Sequence, residues 1–176
     1  MARLVYGLNQ SLDGTVDHDR FAPGPALFRH FIDHVDGLAG AIYGGRMYGI
    51  MRYWDEDQEG WSEDEHAYAC AWRKMPKRVA SRSLTEVGPN ATLLDGDLAQ
   101  AVRTLKESED GTFDVAGPGL AALLGKAGLI DAWQIYLHPV VAGPGTTFFG
   151  DFRPELRLDE VREMGEGVVR LTYLPA

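Results

Sequence analysis

A chain of 176 residues is long enough for one well-buried domain and too short for two of ordinary size. Its 45% hydrophobic content excludes a disordered polymer, and a formal net charge of −9 excludes a general nucleic-acid or anionic-membrane binder. An anionic ligand therefore has to be met by a local cluster of arginines and amides.

Cys70 is the single cysteine and cannot form an intrachain disulfide, which favours a reducing compartment. The amino end enters a strand-like run with no charged-then-apolar leader, and no apolar stretch approaches the roughly 20 residues that span a bilayer. The expectation is a cytoplasmic protein forming one domain over residues 1–176.

Taken in order, Arg3 to Leu8 is a nearly continuous apolar run, as in a central strand covered on both faces. Asn9-Gln10-Ser11-Leu12-Asp13-Gly14 follows, and its Asp-Gly pair by itself reads as a turn. Pro25 to Asp36 carries Leu27, Phe28, Phe31, Ile32 and Val35 on one face, which predicts an amphipathic helix. His30 and His34 are four apart on it, but no third ligand accompanies them, so no metal is expected and both are read as facing solvent.

Ala39 to Tyr43 is the second strand, and Gly44-Gly45-Arg46-Met47-Tyr48 opens the next helix. The acidic, aromatic stretch Tyr53 to Trp61 reads as a loop entering a helix capped by Ser62, with Glu65 three residues on. Pro76 to Ser83 is a short strand ending in Ser81-Arg82-Ser83, whose hydroxyls and guanidinium make a compact anion site or a plain polar loop. Ala91 to Leu94 is a further strand, and Asp97 caps a helix with Leu98, Ala101, Val102 and Leu105 at the helical period.

The segment from Thr112 to Gly145 organises the rest. Phe113 to Ala116 reads as a buried strand, Gly117-Pro118-Gly119 as a break, Leu120 to Lys126 as a short helix and Trp133 to Leu137 as another strand. Glycines let backbone approach a ligand, and the free amides of a helix amino end attract an anion. Gly117 to Ala122 formally fits the dinucleotide fingerprint, but His138-Pro139 stands where that fold needs an acidic residue. Gly143-Pro144-Gly145-Thr146-Thr147 lacks the lysine of a phosphate loop. Because proline follows glycine, a cis Gly117–Pro118 peptide is expected. Glu155 to Val161 and Val168 to Leu174 are two strands forming an antiparallel hairpin at the sheet edge.

Ala116-Gly117-Pro118-Gly119-Leu120-Ala121, then Gly128-Leu129-Ile130-Asp131, then Pro139-Val140-Val141-Ala142-Gly143 resembles, in order and spacing, the riboflavin-biosynthesis reductase domain, the RibD C-terminal family of the dihydrofolate reductase-like superfamily. The likeness covers nearly the whole chain. It implies an α/β fold of three layers, α/β/α, with a mainly parallel central sheet and the antiparallel hairpin at its end.

It also implies an NADPH-dependent oxidoreductase acting on CH–OH or CH–NH type groups, and a homodimer. By the same resemblance Gly117, Pro118, Gly119, Leu120 and Ala121 carry the pyrophosphate. Gly45, Arg46 and Met47, with Ser81, Arg82 and Ser83, hold the cofactor phosphates, and Asn9, Ser11 and Asp13 line the reacting end. Asp13, Asp55 or a bound water delivers the proton. The substrate implied is a ribosylamino-pyrimidine.

Two departures bear on the alternatives, the first leaving the substrate open and the second counting against dihydrofolate reduction. The zinc deaminase ligands that accompany such reductases are absent, and Phe28 or Arg29 stands where dihydrofolate reductase places a carboxylate. Dihydrofolate reduction and a non-catalytic nucleotide-binding or assembly module on the same scaffold are the alternatives.

Overall fold

The computed structural model describes the whole chain, Met1–Ala176. One eight-stranded sheet in the order β4-β3-β2-β5-β1-β6-β8-β7 runs through it. Its strands are β1 (Arg3–Gln10), β2 (Gly40–Gly44), β3 (Lys77–Ala80), β4 (Ala91–Leu93), β5 (Thr112–Ala116), β6 (Ala132–Leu137), β7 (Leu156–Gly165) and β8 (Val168–Pro175). The first six are parallel neighbours, and β8 and β7 close the sheet as an antiparallel pair. The helices are α1 (Pro25–Asp36), α2 (Gly45–Met51), α3 (Glu63–Lys74), α4 (Leu98–Ser108) and α5 (Pro118–Lys126), with a 3-10 turn at Arg52–Asp55 after α2.

Alternation along the strands assigns the helices to layers. From β2, Ile42 packs with Leu4, Tyr6, Phe113 and Val115 under α4 (Val102, Leu105) and α5 (Leu120, Ala121, Leu124). Its neighbours Ala41 and Tyr43 turn the other way, against Val35 of α1, Tyr48 of α2 and Trp72 of α3. Both faces of the central strands are thus buried, which is why β1 reads as an unbroken apolar run. At Gly40 a β-carbon would stand 2.6 Å from the Phe113 ring and 2.9 Å from the Pro76 carbonyl, so β2 can begin there only with glycine.

The helix ends follow the capping chemistry. Ser62 and Glu65 form a reciprocal capping box, and Asp97 accepts from the Gln100 amide. At the carboxyl end of the chain Gly165 pairs with Val168, leaving Glu166 (φ 56) and Gly167 (φ 77) as a two-residue hairpin turn with both φ values positive.

Three expectations are corrected. The chain holds no cis peptide, so Gly117–Pro118 is trans. Gly117, at φ 116 and ψ 128, makes the sharp turn itself and delivers Pro118 to the first helical position, where its fixed φ suits the helix and its missing N–H costs nothing. The glycine-proline stretch is accordingly the first turn of α5 and not a break before it. His30 and His34 do not face solvent either. His34 Nε2 lies 2.8 Å from Asp114 Oδ2, and His30 Nε2 lies 3.0 Å from the Tyr136 hydroxyl, in a polar seam between α1 and the sheet. Burial lowers the His34 pKa, but the Asp114 bond and charge outweigh it, and the net shift is upward.

Candidate active site

In a parallel sheet the strand order reverses where neighbouring connections leave in opposite directions, and a crevice opens outside the carboxyl ends at that point. Here β5 inserts between β2 and β1, and a cavity of about 550 Å³ opens over the ends of these three strands. That volume falls within the range of small-molecule sites.

Leu8 and Asn9 come from the end of β1, Gly44 from β2, and Gly45, Arg46, Met47 and Ile50 from α2. Gly117, Pro118, Gly119 and Leu120 form the opposite lip. Neither α2 nor α5 has a side chain capping its amino end. The amides of Gly119 and Leu120 belong to the first turn of a nine-residue helix and have no intrahelical acceptor. Arg46, exposed at the start of α2, makes no hydrogen bond or ion pair within the chain.

Of the residues expected at the site, Asn9, Gly45, Arg46, Met47, Gly117, Pro118, Gly119 and Leu120 meet in this cavity. Ala121 does not line it. Its side chain is fully buried in the core, and its amide is used in the first helical bond, to Gly117 O at 2.9 Å. Ser81, Arg82 and Ser83 also lie outside the lining, at the end of β3. Ser81 Oγ accepts from the amides of Ser83 and Leu84 at 3.2 and 3.1 Å. The cluster nevertheless adjoins the cavity, because a β-carbon at Gly45 would come within 2.9 Å of Ser81 Oγ. Arg82, exposed beside it, is free of partners within the chain.

Ser11 is buried and Asp13 exposed, and neither lines the cavity. Asp13 accepts from Ser11 Oγ at 2.6 Å and from the amides of Ala142 and Gly143 at 3.0 and 2.7 Å. These bonds, the Ser11 hydroxyl foremost, push its pKa down to about 2. A carboxylate so held is a poor acid at neutral pH; it clasps the β1 loop to the segment after β6. Asp55 sits 3.2 Å from Arg52 Nε in a separate shallow depression with Gly49, Tyr53 and Gln58.

The lining also contains residues that the linear pattern did not single out: Val16, Asp17, His18, Phe21, Ala22 and Pro23, with Thr146. An isolated antiparallel bridge between Thr15 and Thr147 draws these loops together, and Asp17 Oδ2 accepts from the Thr146 amide at 3.1 Å. The bond from the Thr146 hydroxyl leads the causes that lower the Asp17 pKa, and the Arg20 and Arg46 charges add to it. The bridge joins residues more than 130 positions apart, so no local signal marks the loop.

An open α/β domain with a cleft at the carboxyl ends of its inner strands, flanked by helix amino ends that follow glycines, is an arrangement in which such sheets bind ligands. Residues 2–170 match the family described as RibD C-terminal domain, and the chain belongs to that family. It is 24% identical to the Bacillus subtilis protein YyaP, itself described as uncharacterized, over 97% of this chain and 94% of that one.

Among solved structures, a putative riboflavin biosynthesis protein from Shewanella sp. PV-4 superposes with a TM-score of 0.72 at 19% identity, covering 99% of both chains. A pyrimidine reductase-like protein from Corynebacterium diphtheriae gives a TM-score of 0.66 at 12% identity, over 99% of this chain and 92% of that one. The Thermotoga maritima diaminohydroxyphosphoribosylaminopyrimidine deaminase/5-amino-6-(5-phosphoribosylamino)uracil reductase gives 0.68 at 12% identity, and this chain spans 56% of its length. The three-layer dihydrofolate reductase-like fold expected from sequence is the one observed.

Proposed function

We propose that the protein is an NADPH-dependent reductase of a pyrimidine-type intermediate resembling those of riboflavin synthesis. The observation that carries the reading is the cleft itself, where two unpaired amides of α5 and the free Arg46 converge from opposite lips in a chain whose net charge is −9. Such donors suit a pyrophosphate. Arg82 and Ser81, adjoining Gly45, lie where a longer nucleotide extends past α2, and they suit an additional phosphate. When bound, the nicotinamide nucleotide supplies the reducing equivalent, and the protein orients it and excludes water. The apolar wall of Leu8, Val16, Phe21, Met47 and Ile50 provides a dry face for a planar ring.

Titrating NADPH while following tryptophan fluorescence tests the binding, and absence of a saturable change overturns it. Arg82→Ala is expected to weaken NADPH roughly tenfold or more while leaving NADH nearly unchanged, because only the phosphorylated cofactor loses a charge-assisted contact. Equal losses for both dinucleotides would remove the phosphate assignment.

No observation favours dihydrofolate reduction. Phe28 stacks on Tyr68 at 5.5 Å, Arg29 pairs with Asp64 at 3.2 Å, and no carboxylate of α1 reaches the cleft. We propose further that two copies of the chain pair, since Leu158 and Val161 stand 52% and 58% exposed on the edge strand β7. Light scattering is expected to give twice 19.4 kDa, and the monomer mass would contradict pairing.

A further inference from the structure

Asn9 is the one carboxamide lining the cleft, and its side chain makes one hydrogen bond within the chain, to His138. It ends the apolar part of β1, with its backbone in register with Tyr136 of β6. One residue past the end of β6, His138 is buried at 4% exposure and places Nε2 2.9 Å from Asn9 Oδ1. The His138 amide continues the ladder onto Gln10 O at 2.8 Å, and the ring packs against Phe21 with centroids 4.8 Å apart. Nδ1 of His138 has no hydrogen-bond partner in the chain.

An imidazole facing a carbonyl oxygen has to carry its proton on the facing nitrogen. With Nε2–H donating to Oδ1, the NH2 group of Asn9 is turned away from His138, and it has no acceptor within the chain. Asn9 lines the cleft, so this donor is available to a ligand. No acidic side chain is paired with His138, and burial lowers its pKa, so the ring is neutral at pH 7 and its single proton is committed to Asn9.

We infer that Asn9 donates a hydrogen bond to a carbonyl oxygen on the planar ring bound in the cleft, and that His138 is the positioning residue that turns the carboxamide donor-side inward. The inference rests on the reductase reading for the identity of its ligand. The carbonyl belongs either to the nicotinamide carboxamide or to the pyrimidine ring of the substrate, two sources of one chemistry. A lost donor matters because a buried ring carbonyl left unpaired costs more than the bond itself contributes.

The pair is tested without any ligand by long-range 1H–15N spectra of the full chain labelled at histidine. At pH 7.5 the His138 ring is expected neutral with its proton on Nε2. Asn9→Ala is expected to release it into a mixture of tautomers, whereas Asn9→Asp keeps the Nε2 proton and raises the pH at which the ring titrates. An unchanged His138 signal in Asn9→Ala overturns the pairing.

Calorimetric titrations then use NADP+, 2′,5′-ADP, and 5,6-diaminouracil in the presence of NADP+. Asn9→Asp and His138→Leu are expected to weaken one of the two carbonyl-bearing ligands about tenfold and to leave 2′,5′-ADP unchanged, with His138→Gln restoring most of the loss because it keeps an N–H donor. A loss confined to NADP+ assigns the carbonyl to the nicotinamide, and one confined to diaminouracil assigns it to the substrate ring. Wild-type affinity of both variants for every ligand overturns the donor role. Failure of the wild-type protein to bind any of the three overturns the reductase reading and the ligand half of the inference with it, while the spectra still decide the His138–Asn9 pair.

Discussion

Gly117→Val is expected to lower stability by about 2 kcal/mol and to weaken NADP(H) binding by roughly a hundredfold or more. Gly117 stands at φ 116 and ψ 128, a conformation that side chains with a β-carbon rarely adopt and that branched ones adopt least. Any relaxation toward negative φ rotates the first turn of α5, and with it the unpaired amides of Gly119 and Leu120. A β-carbon at Gly117 would also lie 3.7 Å from the Met47 β-carbon, already in van der Waals contact, so further branches crowd Met47 at the cleft wall.

Gly119 provides the control. Nothing lies within 4 Å of a β-carbon built there, so Gly119→Ala is expected to hold or slightly raise the melting temperature. Thermal melts and fluorescence titrations of both variants measure the two effects. Wild-type affinity in Gly117→Val would show that the turn into α5 takes no part in binding.

The second large effect concerns Lys77, which is fully buried on β3. Its ammonium lies 4.1 Å over the Trp72 ring and donates to the Met75 carbonyl at 2.8 Å, with no carboxylate in ion-pair contact. Burial pushes its pKa down to about 8 from 10.5, with the Asp55 charge opposing only in part. Between these two values the unfolded chain holds a proton that the folded chain has released. The wild-type protein therefore gains stability as pH rises through that window, by about 3 kcal/mol when complete.

Lys77→Met keeps the length of the side chain and removes the titration. The difference in stability between wild type and variant is expected to move toward the wild type by that amount between pH 7.5 and 10.5, as read from urea melts at each pH. Taking the difference cancels the buried tyrosines Tyr6, Tyr43 and Tyr136, whose raised pKa values act on both proteins alike. A pH-independent difference would show that the Lys77 amine is solvated in the fold.

The linear pattern was sufficient for the elements because each was written in local chemistry. The continuous apolar run of β1, the Ser62–Glu65 box, the Asp97 cap and the glycine-rich turn before β8 depend on neighbours a few residues away. The glycines before α5 were visible as a candidate anion-binding helix start, whereas Gly45 and Arg46 at α2 were singled out by the family resemblance.

What lay beyond reach was decided by partners distant in the chain. The sequence offered His30 and His34 as a solvent-facing pair, and only the sheet brought Asp114 and Tyr136 beneath them. Nothing near Asp13 in the sequence shows that its carboxylate accepts from the Ala142 and Gly143 amides, 129 and 130 positions away. Asp17, His18, Phe21 and Thr146 reach the cleft through one bridge between Thr15 and Thr147, and His138 meets Asn9 because β6 lies beside β1. Local periodicity and capping chemistry therefore determined which segments become strands and helices. Strand order and loop closure determined which side chains face the same cavity, because hydrogen bonds and charges act across space and are indifferent to separation along the chain.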